Sequence, residues 1–550
     1  MVKLFKHTFR FFSKSQTSII SAATVIMVAV LLSRVLGLVR DWLLATHFTP
    51  SQLGVYIAAF RIPNMIFELL VMGALSSAFI PVFTAHLDTK GKEAAFRMAS
   101  SIITIGTLLF FIFSLPMVIF AKEISHILAP GFTEGEIVQM ASFTQIMIVA
   151  QVFPLIIGNF FTGILQSFRN FLLPSIAPIV YNVGIILGIV FLSPYVGLYG
   201  PVLGVVLGAF LFAVIQIPIV FAHGYRYRFV FDTKDPGTRE VGKLMFPRTV
   251  GLAVSQIDTT IDLVLSTLLG AASVTAFNFA QHLQQLPIGL FGASIAQATF
   301  PSLSSLHAKK DIETFKKIFL SSFHQILFLV VPLSAILIVL RFPVVRLVYG
   351  IRSLFDITTT FETSRTLAYF SISLFAQAII HLLARSFYAL HDSKTPLLVG
   401  AVSVLMNTAL SIIFIKVYRW EVWALGLSAS IASIVNMVFL LFLLDRKIGA
   451  FNRYELLMPT LKIFLSGIVT GVALYIPIKL FDQLVFDTTR TINLFLLTGI
   501  STVMGLSVYF FLAWFLEVPQ VTILTRIAAN IRHKRQDVLI DTSEEIVNDL

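Results

Sequence analysis

The residues able to do chemistry in this chain are charges placed where charge is costly. From Ser33 to Phe83 the sequence reads SRVLGLVRDWLLATHFTPSQLGVYIAAFRIPNMIFELLVMGALSSAFIPVF, an apolar stretch that carries Arg34, Arg40, Asp41, Arg61 and Glu68. An ionised side chain near the bilayer centre costs roughly 2.5–3.5 kcal/mol on insertion scales, so it is rarely there by accident. Arg34 and Asp41 are seven residues apart, as are Arg61 and Glu68. Seven residues is about two helical turns, so each pair falls on one face of a continuous helix. Guanidinium forks match phosphate oxygens bidentately. Arg34, Arg40 and Arg61 therefore suit a diphosphate, with Asp41 and Glu68 as placeholders when no anion is bound. The plainer reading makes Arg40 and Asp41 an interfacial anchor at the outer end of the first helix.

A second group lies in SQIDTTIDLVL, where Asp258 and Asp262 are one turn apart and share a helix face. Two carboxylates do not both ionise comfortably in a low-dielectric bundle. Either one keeps a proton or a cation lies near them. A Na⁺ or H⁺ coupling site is one reading; a cap or a polar neighbour helix is the other. Asn182 and Asn407 each follow a proline that opens a helix and suit hydrogen-bond links between helices, and Asn407 could join a monovalent cation site. His282, in FAQHLQQLPIG, is either a switchable cation facing a cavity or a histidine bonded between helices. There is no GxxxxGK[ST] loop and no HExxH pair. The expectation is a transporter rather than an enzyme, with no resident cofactor beyond Na⁺ or H⁺ coupling.

The elements that must position these residues are set by composition. The 550 residues are 57% hydrophobic and 12% charged, with mean hydropathy +0.90, which no soluble globular domain matches. The chain is an all-α polytopic membrane protein. Its net charge of +12 is spread over the loops between apolar runs, so it reads as a topology signal rather than a nucleic-acid surface. The absence of cysteine excludes disulfides and thiolate metal sites.

Fourteen runs are near the ~20 residues a spanning helix needs. They cover 17–39, 53–84, 94–121, 137–166, 172–194, 199–222, 242–270, 273–304, 315–340, 364–390, 395–416, 422–445, 456–478 and 491–516. The second and eighth are long, which an overhang or a kink would explain. With both termini inside, the inner segments hold 28 Lys and Arg against 10 outside, and Arg34 and Arg61 fall within helices. That bias fits both ends in the cytoplasm. The outer loop around Arg341, Arg346 and Arg352 runs against it, either as a solvated loop or as an external site for an acidic group.

The chain also repeats. Phe60 precedes Gly73-Ala74 by thirteen residues and Phe279 precedes Gly292-Ala293 by thirteen, an offset of 219. SFRNFLLP (167–174) echoes SFYALHDSKTP (386–396). The expected organisation is a basic cytoplasmic N-terminus (1–16), a lobe of helices 1–6 (17–225) and a cytoplasmic linker (226–241). A second lobe of helices 7–12 follows (242–446), then helices 13 and 14 (447–517) and a cytoplasmic tail (518–550). Six helices per lobe make the repeat parallel.

At SRVLGLVRD, AAFRIPN and GALSSAFIPVF the chain resembles the lipid II flippases of the MurJ (MviN) family, within the multidrug/oligosaccharidyl-lipid/polysaccharide exporter superfamily. GASIAQATFPSLS, SQIDTTID and FYALHDSKTP resemble its second-half motifs. The resemblance implies two six-helix lobes around a cationic cavity, a lipid-tail groove formed by helices 13 and 14, and alternating access in the bacterial plasma membrane. The implied substrate is undecaprenyl-diphosphate-linked disaccharide–pentapeptide, moved from the inner to the outer leaflet for peptidoglycan assembly. Membrane lipids and cell-wall synthesis proteins are the implied partners. Arg34, Arg40 and Asp41 match the family's first-helix motif. Arg61 stands where the family often has lysine. Gly54 stands where it usually has an acidic residue, Phe67 where it often has arginine, Met72 where it often has glutamate, and His282 where it often has arginine. These departures bear on the headgroup. Alternatives are a flippase for another polyprenyl-diphosphate oligosaccharide, a cation-coupled multidrug exporter, which the arginines oppose, or a membrane scaffold that has lost transport.

Overall fold

The computed structural model describes residues 19–69, 78–350, 354–484 and 490–521. The basic N-terminus, Met72, Gly73, Arg352 and the tail past residue 521 lie outside them. Among the described residues all regular structure is helical. Among the described residues ten helices are long and apolar enough to cross a membrane, or eleven if Ile357–Ser371 and Leu374–Ala389, bent by 47°, form one span. The chain is a multi-pass membrane protein. These eleven fall on eleven of the fourteen predicted runs. The remaining runs, 17–39, 53–84 and 242–270, fall on Ile19–His47, on Pro50–Ala59 with Arg61–Phe67, and on Pro236–Thr267. Those helices carry Arg34, Arg40, Asp41, Arg61, Asp258 and Asp262.

Both over-long runs are interrupted. The second breaks at Phe60, between Pro50–Ala59 and Arg61–Phe67. Thr49 starts the first piece through a reciprocal capping box with Gln52. The eighth lies within Ala271–Ala308 and passes through a π-helical turn, Ile288–Ala293, directly after Pro287. Proline lacks an N–H and displaces the helical ladder, which favours such a turn. The helix predicted over 242–270 begins earlier, at Pro236, because the Asp235 carboxylate accepts from the Thr238 N–H at 2.7 Å and caps it. Arg341–Tyr349, expected as loop, is helical.

Two compact units divide the chain. One takes in the residues up to Phe279 with Val348–Thr363 and Val404–Leu425; the other takes in Ala280–Leu347, Ser364–Ser403 and the chain from Gly426. In the first unit, Ile19–His47 packs on Leu172–Leu187, which packs in turn on Tyr199–Val214. The second contact is backbone on backbone. A Cβ on Gly188 would stand 2.4 Å from the Gly204 Cα, and one on Gly184 would stand 2.4 Å from the Gly208 Cα. Close approach of small residues is what holds helices together where lipid is as apolar as any side chain.

In the second unit, Ile312–Val339 brings Phe315, Phe319 and Phe323 into a buried cluster with Leu382, Leu383 and Phe387 of Leu374–Ala389. It also packs on Arg453–Leu484, which pairs with Thr491–Phe515. The Tyr509 hydroxyl donates to the Phe328 carbonyl at 2.8 Å. Many large apolar side chains remain exposed, Phe111, Ile112 and Leu115 in the first unit and Ile468, Ile492 and Phe495 in the second. On membrane-spanning helices these face lipid.

Local features recur near the spacing of the sequence repeat. Phe168 and Phe387 each lie under an ammonium, Lys92 at 5.7 Å and Lys447 at 5.9 Å. Arg169 and His391, shortly after them, both take a positive φ. π-helical turns at Gly188–Leu192 and Ile413–Val417 end the helices that follow.

Candidate functional site

Among the described residues the first unit holds three polar clusters that link its helices. The first joins Ile19–His47 to Leu172–Leu187. Arg40 donates from Nε and Nη2 to one Asp41 oxygen at 3.0 and 2.8 Å, and from Nη1 to the Asn182 side-chain oxygen at 3.2 Å. The Asn182 amide donates to the Pro178 carbonyl at 3.1 Å and to the Ser33 hydroxyl at 3.4 Å. Asn182 is thus the interhelical link its position suggested. The Asp41 side chain is 5% exposed and that of Arg40 23%. Burial of this depth goes with pairing, because an unpaired buried charge is strongly destabilising. The plain anchor reading of this pair does not account for the Asn182 contact.

Arg34 stands apart. Helical geometry places it on the Asp41 face, but its side chain is exposed, and it makes no hydrogen bond or ion pair among the described residues. The face that is closed at Asp41 is open two turns earlier.

The second cluster is built around Arg61. Its Nε donates to the Thr260 hydroxyl at 2.8 Å, and its Nη2 donates to the Gln256 side-chain oxygen at 2.8 Å and to the Gln256 carbonyl. The Gln256 amide donates to Glu68. Arg61 and Glu68 are therefore relayed through Gln256 rather than paired. Reading the sequence along one helix missed Gln256 and Thr260, which approach from Pro236–Thr267. Their only local signal is that polar residues recur every fourth position there, at Gln256 and Thr260.

The third cluster is Asp258, Asp262 and Asn407. The Asn407 amide donates to Asp258 at 3.0 Å and to Asp262 at 3.5 Å. Asp262 and Asn407 are buried. The second Asp262 oxygen and the Asn407 side-chain oxygen are buried with no hydrogen-bond partner among the described residues. Two orphaned buried oxygens fit a proton or a hard monovalent cation. Among the described residues no group of three or more His, Cys, Asp or Glu could hold a metal ion. His282 is half-buried on Ala271–Pro287 and belongs to the second unit.

The family model described as lipid II flippase MurJ matches residues 44–496. The chain belongs to the MurJ family. A lipid II flippase MurJ from Burkholderia cenocepacia is 29% identical over 437 residues, covering 77% of this chain and 83% of that protein. The fold agrees with a solved lipid II flippase MurJ in an inward closed conformation, with a TM-score of 0.73 at 23% identity over 88% of this chain and 99% of that one. An inward-facing multidrug resistance MATE transporter of the MOP superfamily follows at a TM-score of 0.63 and 14% identity, over 77% of this chain and 98% of that one.

At two positions where the resemblance leads one to expect another residue, the structure accounts for the one present. A Cβ at Gly54 would stand 1.8 Å from the Ala271 carbonyl oxygen, so no side chain fits between these backbones. The Thr275 hydroxyl donates to the Pro50 carbonyl at 2.7 Å in the same contact. Phe67 packs against the apolar cluster of Leu155, Ala177, Ala209 and Phe212, a poor setting for a guanidinium. Met72 lies outside the described residues.

Proposed function

We propose that this chain is a flippase that moves lipid II from the inner to the outer leaflet of the bacterial plasma membrane by alternating access, without covalent chemistry. One observation carries the reading beyond family membership. Arg34 offers an exposed guanidinium with no hydrogen-bond or ion-pair partner among the described residues, two turns before a paired Arg40 and Asp41. A charge costly to insert and left without a partner suits an anionic ligand that supplies the partner.

In this reading Arg34 takes the diphosphate first. Arg40 then exchanges its Asp41 contact for phosphate oxygen, and Asp41 and Asn182 hold the guanidinium in place between cycles. Arg61 is held by Gln256 and Thr260 and contributes field rather than first contact. Glu68 keeps the Gln256 amide turned so that its oxygen faces Arg61. Asp258, Asp262 and Asn407 would hold the coupling Na⁺ or proton, which supplies charge that biases one conformation over the other. Both termini lie in the cytoplasm, as the loop charges favour. Cell-wall synthesis proteins are the expected partners.

The test is transport by the purified chain in vesicles, with lipid II in the membrane and its outer-leaflet fraction read by an impermeant enzyme. Wild type is expected to equilibrate lipid II between leaflets, and Asp262→Asn to slow it severalfold. Folded wild type that leaves lipid II in place would overturn the reading. A parallel arm with another polyprenyl-diphosphate oligosaccharide decides the headgroup, on which Gly54 and Phe67 bear.

A further inference from the structure

At one end of the first unit, away from the three clusters, the start of the helical segment after Gly91 meets the extended segment that follows Gly224. Between them lies a cavity of about 770 Å³. Lys92, Arg97, Arg226 and Arg228 line it, against a single carboxylate, Glu93. Its floor is built. His223 stacks on Phe168 with ring centroids 4.5 Å apart and planes 8° from parallel, and the Lys92 ammonium lies 5.7 Å from the Phe168 ring centre. Ser100 fixes the wall, receiving the Arg228 N–H at 3.4 Å and meeting the Tyr225 hydroxyl at 3.2 Å. The His223 Nε2 is buried and has no hydrogen-bond partner among the described residues. Among the described residues Arg97 makes a single, loose ion pair, with Asp232 at 3.7 Å.

We propose that this cavity binds the phosphodiester headgroup of an anionic membrane phospholipid. Four cations converge where one acid lines the wall. The volume suits a small-molecule headgroup. A basic pocket at the end of membrane helices is the setting in which acidic headgroups are held. The neighbouring side chains choose lipid over free phosphate. Along the extended segment, Tyr227, Phe229 and Phe231 are 48%, 81% and 56% exposed. Aromatic rings left bare beside arginines at the end of a span anchor in the headgroup layer, which a soluble anion would not require.

The experiment titrates the full-length purified chain with phosphatidylglycerol, and separately with phosphatidylcholine, and counts retained lipid by native mass spectrometry. Wild type is expected to retain phosphatidylglycerol preferentially. Arg226→Gln/Arg228→Gln should weaken that retention by about fivefold per cation removed, and Lys92→Gln should weaken it independently. Lys309→Gln/Lys317→Gln, exposed cations of the other unit, should change nothing. Phe229→Ser should reduce retention of phosphatidylglycerol without creating affinity for inorganic phosphate. Because the substituted cations are exposed, melting temperature should match wild type and separates lost binding from lost fold. Equal retention by wild type and both cation variants would overturn the proposal. So would displacement of the lipid by millimolar inorganic phosphate, which would make the site one for free phosphate.

Discussion

Arg61 and Glu68 are two turns apart and make no ion pair with each other; Gln256, from another helix, accepts from the first and donates to the second. Arg61 is thereby tied to Pro236–Thr267, the helix that also carries Asp258 and Asp262. A change at the carboxylates reaches the arginine along that helix and through the hydrogen bonds from Gln256 and Thr260.

The relay predicts non-additivity. Gln256→Leu and Arg61→Ala each remove the side-chain contact between them, and each also removes a contact of its own, so the double variant should lose less stability than the sum of the two single losses. The coupling energy should be about 1.5–3 kcal/mol, the range for a hydrogen bond to a charged group. Denaturation of the four proteins in one detergent measures it, and additive effects would rule out the relay.

Asp41 is expected to be the most sensitive of the charged positions in stability. Asp41→Ala leaves the Arg40 guanidinium half-buried with Asn182 alone, and breaking a buried pair on one side costs about 3 kcal/mol. Arg40→Ala/Asp41→Ala should recover part of the loss. Melting temperatures of the three variants test this.

Gly54→Ala inserts a methyl group where the Ala271 carbonyl already stands. Backbone cannot yield as a side chain does, so the cost should be at least the 1–3 kcal/mol typical of overpacking. Gly54→Asp, the acidic residue type that the family resemblance leads one to expect there, should fare worse here unless Ala271 is also moved. The yield of folded protein and its melting temperature report both.

Outside the membrane segments, the loop that starts Lys394–Ile412 carries a pH-dependent contact. Asp392 accepts from the Lys447 ammonium at 2.5 Å and from the Thr395 hydroxyl at 2.7 Å, and these bonds hold its carboxyl well below the usual carboxylate range. A lowered folded-state pKa gives stability that is fully present above the unfolded pKa of about 3.9 and is lost as pH falls from there through the lower folded-state pKa. Asp392→Asn should therefore cost about 1 kcal/mol at neutral pH. Its melting temperature should converge on wild type as pH falls below about 4.

Much of this was legible in the sequence, for identifiable reasons. Apolar runs long enough to span report themselves, which is why eleven predicted runs coincide with spanning helices. The motif charges were legible as charges out of place, and Asp258, Asp262 and Asn407 as one group. The partners of those charges were not. The seven-residue spacing correctly put Arg61 and Glu68 on one side, but it could not supply Gln256 from a helix some 190 positions further on. The same spacing put Arg34 with Asp41, whereas burial separates them, because exposure is set by what packs opposite and not by helical phase. Gly54 read as a departure from a motif; only the Ala271 backbone explains it.

The central claim is that Arg34 meets the diphosphate of lipid II. The most direct test is a cell whose sole lipid II flippase is this chain, with the outer-leaflet fraction of lipid II measured after the resident flippase is depleted. Wild type should restore exposure and growth, and Arg34→Ala, at equal membrane level and equal melting temperature, should lower exposure by tenfold or more, about the 1.4 kcal/mol and upward that a lost charge-assisted contact carries. Full exposure with Arg34→Ala would contradict the claim.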